Sequence, residues 1–334
     1  MDVLIKSFFR PYYLARCLYS LKRFMKGRYR AHVLDDGTPG RYLEKIRVLF
    51  PDVLITHAEQ HTQKCAAIDR HLTQGAEFDA HTLPIALWTQ AVQSCGTHFL
   101  MLEEDSWLVG DVDADELLHY ASDQRVVCLK LGWNNNPRVG GRTENKAGSL
   151  FQLITERPLV TQRTAARLLL ANRWVRAAAA RLGGPLERAR LSFYPLYSVS
   201  SAVFDRAYWL DVWHQAPDRV NENAQLLRAL EWLRAHPESQ YARLSEERVH
   251  TSFITTSYGR LRVFPFDMLR LNYWLNEAWL EGRLDACAGL PGDFDVAALK
   301  EIVAAAGDPR CRVEDWEAWM AHFRALHRAV GSEV

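Results

Sequence analysis

The residues of this chain best placed to do chemistry form one run, Glu103-Glu104-Asp105, which ends the apolar stretch His98 to Leu102. An apolar run of that length is most simply a buried strand in a sheet covered on both faces. Carboxylates at its C-terminal end project into the crevice where open α/β sheets bind ligands. Packed acid there costs free energy unless a cation offsets the charge. The run therefore reads either as an acidic turn or as a site for a divalent cation. A second acidic pair, Asp35-Asp36, ends another strand-like run, Tyr29 to Leu34, and passes into the turn residues Gly37-Thr38-Pro39-Gly40.

The elements that must position these acids are legible around them. Val3-Leu4-Ile5-Lys6-Ser7-Phe8-Phe9-Arg10-Pro11 reads as a strand, a turn and a helix start, with Pro11 suited to a first helical turn. Leu14, Cys17, Leu18, Leu21 and Met25 recur at helical spacing, as do Tyr42, Leu43, Ile46, Leu49 and Phe50. Asp52 to Thr56 completes a strand–helix–strand–helix–strand series, the pattern of a parallel sheet. Two acidic strand ends, Asp35/Asp36 and Glu103/Asp105, are thus expected at one rim.

The rest of the chain is less regular. Residues 157–190 hold eight arginines and one acid, Glu187. Thr161 is placed as an N-cap, Ala165, Leu168, Leu169, Leu170 and Trp174 form an apolar face, and Gly183-Gly184-Pro185 stops the helix. This predicts a helical excursion with a solvated basic face; the alternative is a surface for anionic headgroups or an acidic acceptor. Tyr194 to Phe204 reads as a strand returning to the sheet, followed by a short helix from Asp205. Asn221 is a natural N-cap for a helix that opens with Glu222. His250 stands alone on a strand-like run, and His57, His61, His71 and His81 read as surface or core residues that face no shared acid. In the last third, Phe266 to Leu280 and a stripe of Trp316, Trp319, Met320, Phe323 and Leu326 read mainly as core-facing helices. Aromatics left exposed there would instead stack on sugar faces or make a dimer contact.

Composition bounds the function. With 334 residues and 48% hydrophobic content, the chain can bury a large core. A formal net charge of +1 gives no global attraction to nucleic acid or membrane. The six cysteines are scattered, with no CxxC pair, which suits reduced thiols in a cytoplasm and argues against a zinc or redox motif. No signal peptide or membrane-spanning run is expected.

The stretch LIKSFFRPYYLARCLYSLKRF, then YRAHVLDDGTPG, then HFLMLEEDSW resembles the nucleotide-sugar half of a GT-A fold glycosyltransferase, most similar to family 2. The match covers residues 2–110 well and 190–260 loosely. The resemblance implies an α/β fold, a Rossmann-like, mostly parallel central sheet flanked by helices, with helical C-terminal additions. It divides the chain into a GT-A domain at 1–265 and a helical extension at 266–334. Within the domain, 2–110 would be the nucleotide-sugar half, and 111–265 the acceptor half carrying the excursion. The implied activity is transfer of a sugar from a nucleotide-diphosphate sugar to a hydroxyl of a glycan or glycolipid. It would be inverting and metal-dependent, in surface polysaccharide or lipopolysaccharide synthesis, in the cytoplasm or peripherally at the inner face of the cell membrane. Glu103 and Asp105 would hold Mg²⁺ or Mn²⁺, joined by His250. Asp35 or Asp36 would bond the base or ribose. Ser7, Phe8 and Arg10 would cover the base and approach the phosphates, with Lys64 and Glu104 also on the donor side. Glu222 would be the general base, with Glu246 and Glu247 as competitors. The cluster departs from the family's D-x-D by a Glu at its first position. A nucleotidyltransferase is disfavoured because the first turn is Ser-Phe-Phe-Arg-Pro and not a glycine-rich loop. A non-catalytic glycan- or partner-binding protein of the same fold stays open.

Overall fold

The computed structural model describes residues 1–78, 82–144, 148–172, 174–175, 177–178, 185–214, 220–256 and 264–334, with backbone only at 185–187. It is an α/β protein built on one eight-stranded sheet. In chain order the strands are β1 (Asp2–Ser7), β2 (Arg30–Asp35), β3 (Leu54–His57), β4 (His98–Glu103), β5 (Val126–Lys130), β6 (Phe151–Leu153), β7 (Ala202–Asp205) and β8 (Gln240–Leu244). Across the sheet they lie β3-β2-β1-β4-β7-β5-β8-β6. Pairings β2–β3, β1–β2, β1–β4 and β5–β8 are parallel; β7 runs antiparallel between β4 and β5, and β6 antiparallel at the edge.

The alternation of side chains explains why β1 and β4 read as continuous apolar runs. Val3, Ile5, Leu100 and Leu102 enter a core on one face, while Leu4, Phe99 and Met101 enter a second core on the other. The first face is covered by the helix Pro11–Phe24 and by the C-terminal helices Met268–Leu280, Val296–Ala306 and Val313–Ala329. The second is covered by the helices Ile85–Gln93, Arg206–Trp213 and Glu222–Ala235.

Several sequence expectations shift. The strand expected at Tyr194–Phe204 is confined to Ala202–Asp205, preceded by a short 3₁₀ turn at Tyr194–Leu196. Pro195 lacks a ladder donor, the Ser198 hydroxyl bonds the Ser200 carbonyl locally, and Ser201 sits at φ 57°. The strand expected at 52–56 runs from Leu54 to His57. The helix placed after Thr161 starts at Arg163, with Gln162 at its N-cap and no side-chain cap; Gly183 and Gly184 lie outside the described residues. Asn221 does cap its helix, its Oδ1 accepting from Ala224 N at 3.2 Å. Among the described residues no helix is long and apolar enough to cross a membrane.

A two-stranded ribbon, Ser106–Leu108 against Val249–Thr251, follows directly on the acidic run. Ser252 N donates to Asp105 O at 3.1 Å, so the ribbon fixes the backbone beyond the acids. Gly132 lets it lie that close, because a Cβ there would fall 2.4 Å from the Val249 carbonyl oxygen. Gly132→Ala is expected to cost about 1–3 kcal/mol through this overpacking. Urea unfolding checks it, and a loss under 0.5 kcal/mol would mean the ribbon yields freely.

Candidate functional site

Parallel register brings the strand ends together. Ser7 pairs with Asp35, Lys6 with Glu103, and Asp35 with His57. The ladder continues one step beyond each strand: Asp36 N donates to Ser7 O, Glu104 N to Lys6 O and Ala58 N to Asp35 O, each at 2.9 Å. The two acidic strand ends meet at one rim, as their sequence positions imply.

The first turn is bent into place by Phe9 at φ 55° and by Thr38 Oγ1, which accepts from Phe9 N at 3.0 Å. Pro11 then opens the helix at its first position. The turn aims Arg10 at the acids. Its guanidinium is buried and forks, with Nε 3.0 Å and Nη2 2.9 Å from Glu104 Oε1, and Nη1 2.9 Å from Asp105 Oδ2. Burial opposes the Arg10 charge, but Asp105 and Glu104 outweigh it and hold the guanidinium protonated more firmly than usual. Glu103 faces Lys6 Nζ at 3.7 Å and Ser200 Oγ at 3.4 Å. Lys6 is buried, which lowers its pKa; it also donates to Val199 O and lies over the rings of Trp88 and Trp213. Protein cations thus already offset part of the acidic charge. Asp105 is still pushed up by burial, against the pull of Arg10, and its Oδ1 is buried with no hydrogen-bond partner among the described residues.

These groups line a cleft of about 410 Å³, together with Ser7, Phe8, Asp36, Leu83, Val220, Glu222, Thr256, Trp319 and Phe323. Ser7 Oγ and Asp36 Oδ1 are likewise buried without partners. Asp36 pairs with Lys64 through its other oxygen, and burial holds its pKa up at about 6 despite that lysine. Asp36 and Leu83 also border a neighbouring hollow of about 490 Å³, where Lys64, His57 and Thr82 lie.

Of the residues singled out in the sequence, Ser7, Phe8, Arg10, Asp36, Glu103, Glu104, Asp105 and Glu222 meet in this cleft. Lys64 does not line it but pairs with Asp36 and lies over the Phe8 ring, both of which do. Asp35 is fully buried beneath it, its Oδ2 accepting from Gly37 N at 3.1 Å and Thr38 N at 2.9 Å. His250 does not join the acids: paired opposite Trp107, it lines a separate hollow with Glu247. Glu247 is engaged there by the backbone N–H groups of Trp133 and Asn135, and Glu246 pairs with Arg248 at 3.1 Å. The histidines read as surface or core need correction. His57 and His61 share Asp35, at 3.9 and 3.0 Å, and His71 bonds Asp267 at 2.7 Å. His81 lies outside the described residues.

Lys6 was missed as a site residue, although a lone lysine in a buried strand was a signal. Trp88, Trp213, Trp319 and Phe323 carried none that separated them from core aromatics. The cleft holds the acids Asp36, Glu103, Glu104, Asp105 and Glu222 against the cations Lys6 and Arg10. A bound polyphosphate would therefore meet repulsion unless a cation accompanied it, and Asp105 Oδ1 is the buried oxygen best suited to hold one.

No protein-family model matches the chain, and no curated protein is similar to it in sequence. Solved structures show distant likenesses. S. aureus TarS aligns over 91% of this chain at 12% identity and TM-score 0.40, and the chain spans 42% of the length of that TarS structure. TarS 1–349 in complex with UDP-GlcNAc aligns over 91% of this chain and 70% of its own, at 12% identity and TM-score 0.39. The mannosyltransferase PcManGT from Pyrobaculum calidifontis, in complex with GDP-Man and Mn²⁺, aligns over 97% and 84%, at 13% identity and TM-score 0.31.

Proposed function

We propose that the protein is a GT-A type, family 2-like glycosyltransferase that moves a sugar from a nucleotide-diphosphate donor to a hydroxyl acceptor. The observation that carries this is the meeting of the Arg10 turn, the Asp36 strand end, the acidic run and Glu222 in one cleft. Asp36 borders both this cleft and the adjoining hollow, so a donor spanning the two would place its nucleoside by Asp36 and Lys64 and its diphosphate by Asp105.

In this reading Asp105, with Glu103 beside it, would hold Mg²⁺ or Mn²⁺, which would supply Lewis-acid neutralisation of a departing diphosphate. Arg10 orients Asp105 and Glu104 and leaves Asp105 Oδ1 without a hydrogen-bond partner among the described residues. Phe8 walls the donor pocket and Ser7 offers a hydroxyl. Glu222, for which no hydrogen bond or ion pair is seen among the described residues, is free to take the proton of an acceptor hydroxyl attacking the anomeric carbon. A carboxylate acting from the face opposite the leaving group gives inversion. Trp88, Trp213, Trp319 and Phe323 give the cleft apolar walls of the kind that stack on sugar faces. A glycan or glycolipid of surface polysaccharide fits such walls, met in the cytoplasm or at the inner membrane face.

A thermal-shift screen of UDP-, GDP-, TDP- and CMP-sugars, with and without Mn²⁺, tests the reading. At a hundred times Kd the matching donor should raise Tm by about 4 °C, and more with Mn²⁺ than without. Stabilisation by none of them would reject it. A response to nucleoside triphosphates instead of sugars would favour nucleotidyl transfer.

A further inference from the structure

At the end of the same rim, away from the acidic run, lies a cluster in which Asp35, His61 and Cys65 have no part in the proposed transfer and His57 borders the hollow proposed for the nucleoside. Asp35 ends β2, His57 ends β3, and His61 opens the helix His61–Gln74. One ligand atom from each falls within 4.8 Å of the other two. We propose that Asp35, His57, His61 and Cys65 form a binding site for a borderline-soft divalent transition cation of the Zn²⁺ class, separate from the cleft cation.

The chemistry of the donors sets the class. One carboxylate, two imidazoles and a thiol favour Zn²⁺ over Mg²⁺ or Mn²⁺, which prefer all-oxygen shells. Asp35 Oδ2 stands 3.0 Å from His61 Nε2 and 3.9 Å from His57 Nδ1. Around a tetrahedral Zn²⁺ such atoms are roughly 3.3 Å apart, so small side-chain rotations close the site. Cys65, one helical turn beyond His61, brings Sγ to 3.9 Å from His61 Nε2. The second oxygen of Asp35 is buried and has no hydrogen-bond partner among the described residues, an anionic donor with spare capacity. The helix and strand ends that carry the donors are tied together, since Ala58 N bonds Asp35 O and Lys64 N bonds Gln60 O, both at 2.9 Å. Arg47 Nη2 lies 3.4 Å from His57 Nε2 and is exposed enough to swing outward.

Co²⁺ added to the metal-free full chain is the probe. We expect about one tetrahedral Co²⁺ per chain, with its visible bands and a sulfur-to-cobalt charge-transfer band, all displaced by Zn²⁺; Co²⁺ taken up by the oxygen ligands of the cleft would lack that charge-transfer band. His57→Ala and His61→Ala should each weaken Co²⁺ binding by at least about tenfold, the loss seen even for outer-shell groups. Cys65→Ser should remove the charge-transfer band. Asp105→Asn, which alters the cleft and none of these four donors, should keep the tetrahedral and charge-transfer bands of the parent, so this test and the donor screen fail independently. His57 is partly exposed, so its variant should keep the parent's Tm in chelator, which separates lost binding from lost folding. No tetrahedral Co²⁺ signal, unchanged bands in both histidine variants, a charge-transfer band that survives Cys65→Ser, or that band lost in Asp105→Asn would each overturn the proposal.

Discussion

Arg10→Ala is expected to destabilise the fold by about 3–5 kcal/mol, the cost of leaving buried charge without its partner. The guanidinium serves Glu104 and Asp105 together; Glu104 is buried and the Asp105 side chain is 13% exposed. Removing it takes a buried cation from between the two carboxylates just beyond the central strand β4. Arg10→Lys keeps a charge but not the planar fork that reaches both acids, so it should recover only part of the loss. The pH dependence has a definite sign. Burial already raises the pKa of Asp105, and without Arg10 it binds its proton more tightly still in the folded state. The deficit of the alanine variant should therefore be largest at neutral pH and shrink as pH falls and the acids protonate. Urea unfolding at several pH values measures this. A deficit below 1 kcal/mol, or one that grows toward acid, would show that the acids do not depend on Arg10.

Glu222→Gln is expected to lower donor hydrolysis, with water as the acceptor, by about 10²–10⁴-fold, the usual contribution of a positioned base. The substitution keeps size and the helix start while removing the proton acceptor. Asn221 holds the N-cap, so stability should change little. Donor-induced thermal stabilisation should also be kept, since the proposed role of Glu222 is on the acceptor side. A residual rate above one tenth of the parent's would move the base elsewhere. Glu247 is a poor substitute, because backbone N–H groups already occupy its carboxylate in another hollow.

The first four strands of the sheet in chain order were readable because their signals are local. Apolar strands that end abruptly in acids, and a proline at a helix start, fix β1, β2 and β4 and the turns after them. Parallel register then brings Ser7, Asp35 and Glu103 to one rim. The cluster of Asp35, His57 and His61 was not readable, since the spacing of 57 and 61 straddles a strand end and a helix start. Their shared acid lies on a different strand, and only the pairing of β2 with β3 brings it near. The irregular stretch 194–201 was misread because aromatic and β-branched composition suggested a strand, while serine hydroxyls and Pro195 gave the backbone other partners. The polar network around the first turn was also invisible. Asn276 Nδ2 donates to Phe9 O at 3.0 Å, Tyr12 OH donates to Asn272 Oδ1 at 3.0 Å, and Arg16 Nη1 donates to the carbonyls of Ala286 and Ala288. Each bond spans more than 250 residues.

That network, with Trp319 and Phe323 in the cleft wall, carries a consequence for synthesis. The turn that aims Arg10 is synthesised long before the residues that brace and enclose it. Until the helices Met268–Leu280 and Val313–Ala329 emerge, the nascent chain holds Tyr12, Tyr13 and the underside of the helix Pro11–Phe24 without their cover. Trp319 and Phe323 come only with the second of these helices, so a nascent chain that stops short of it has the acidic run in place without that wall of the cleft.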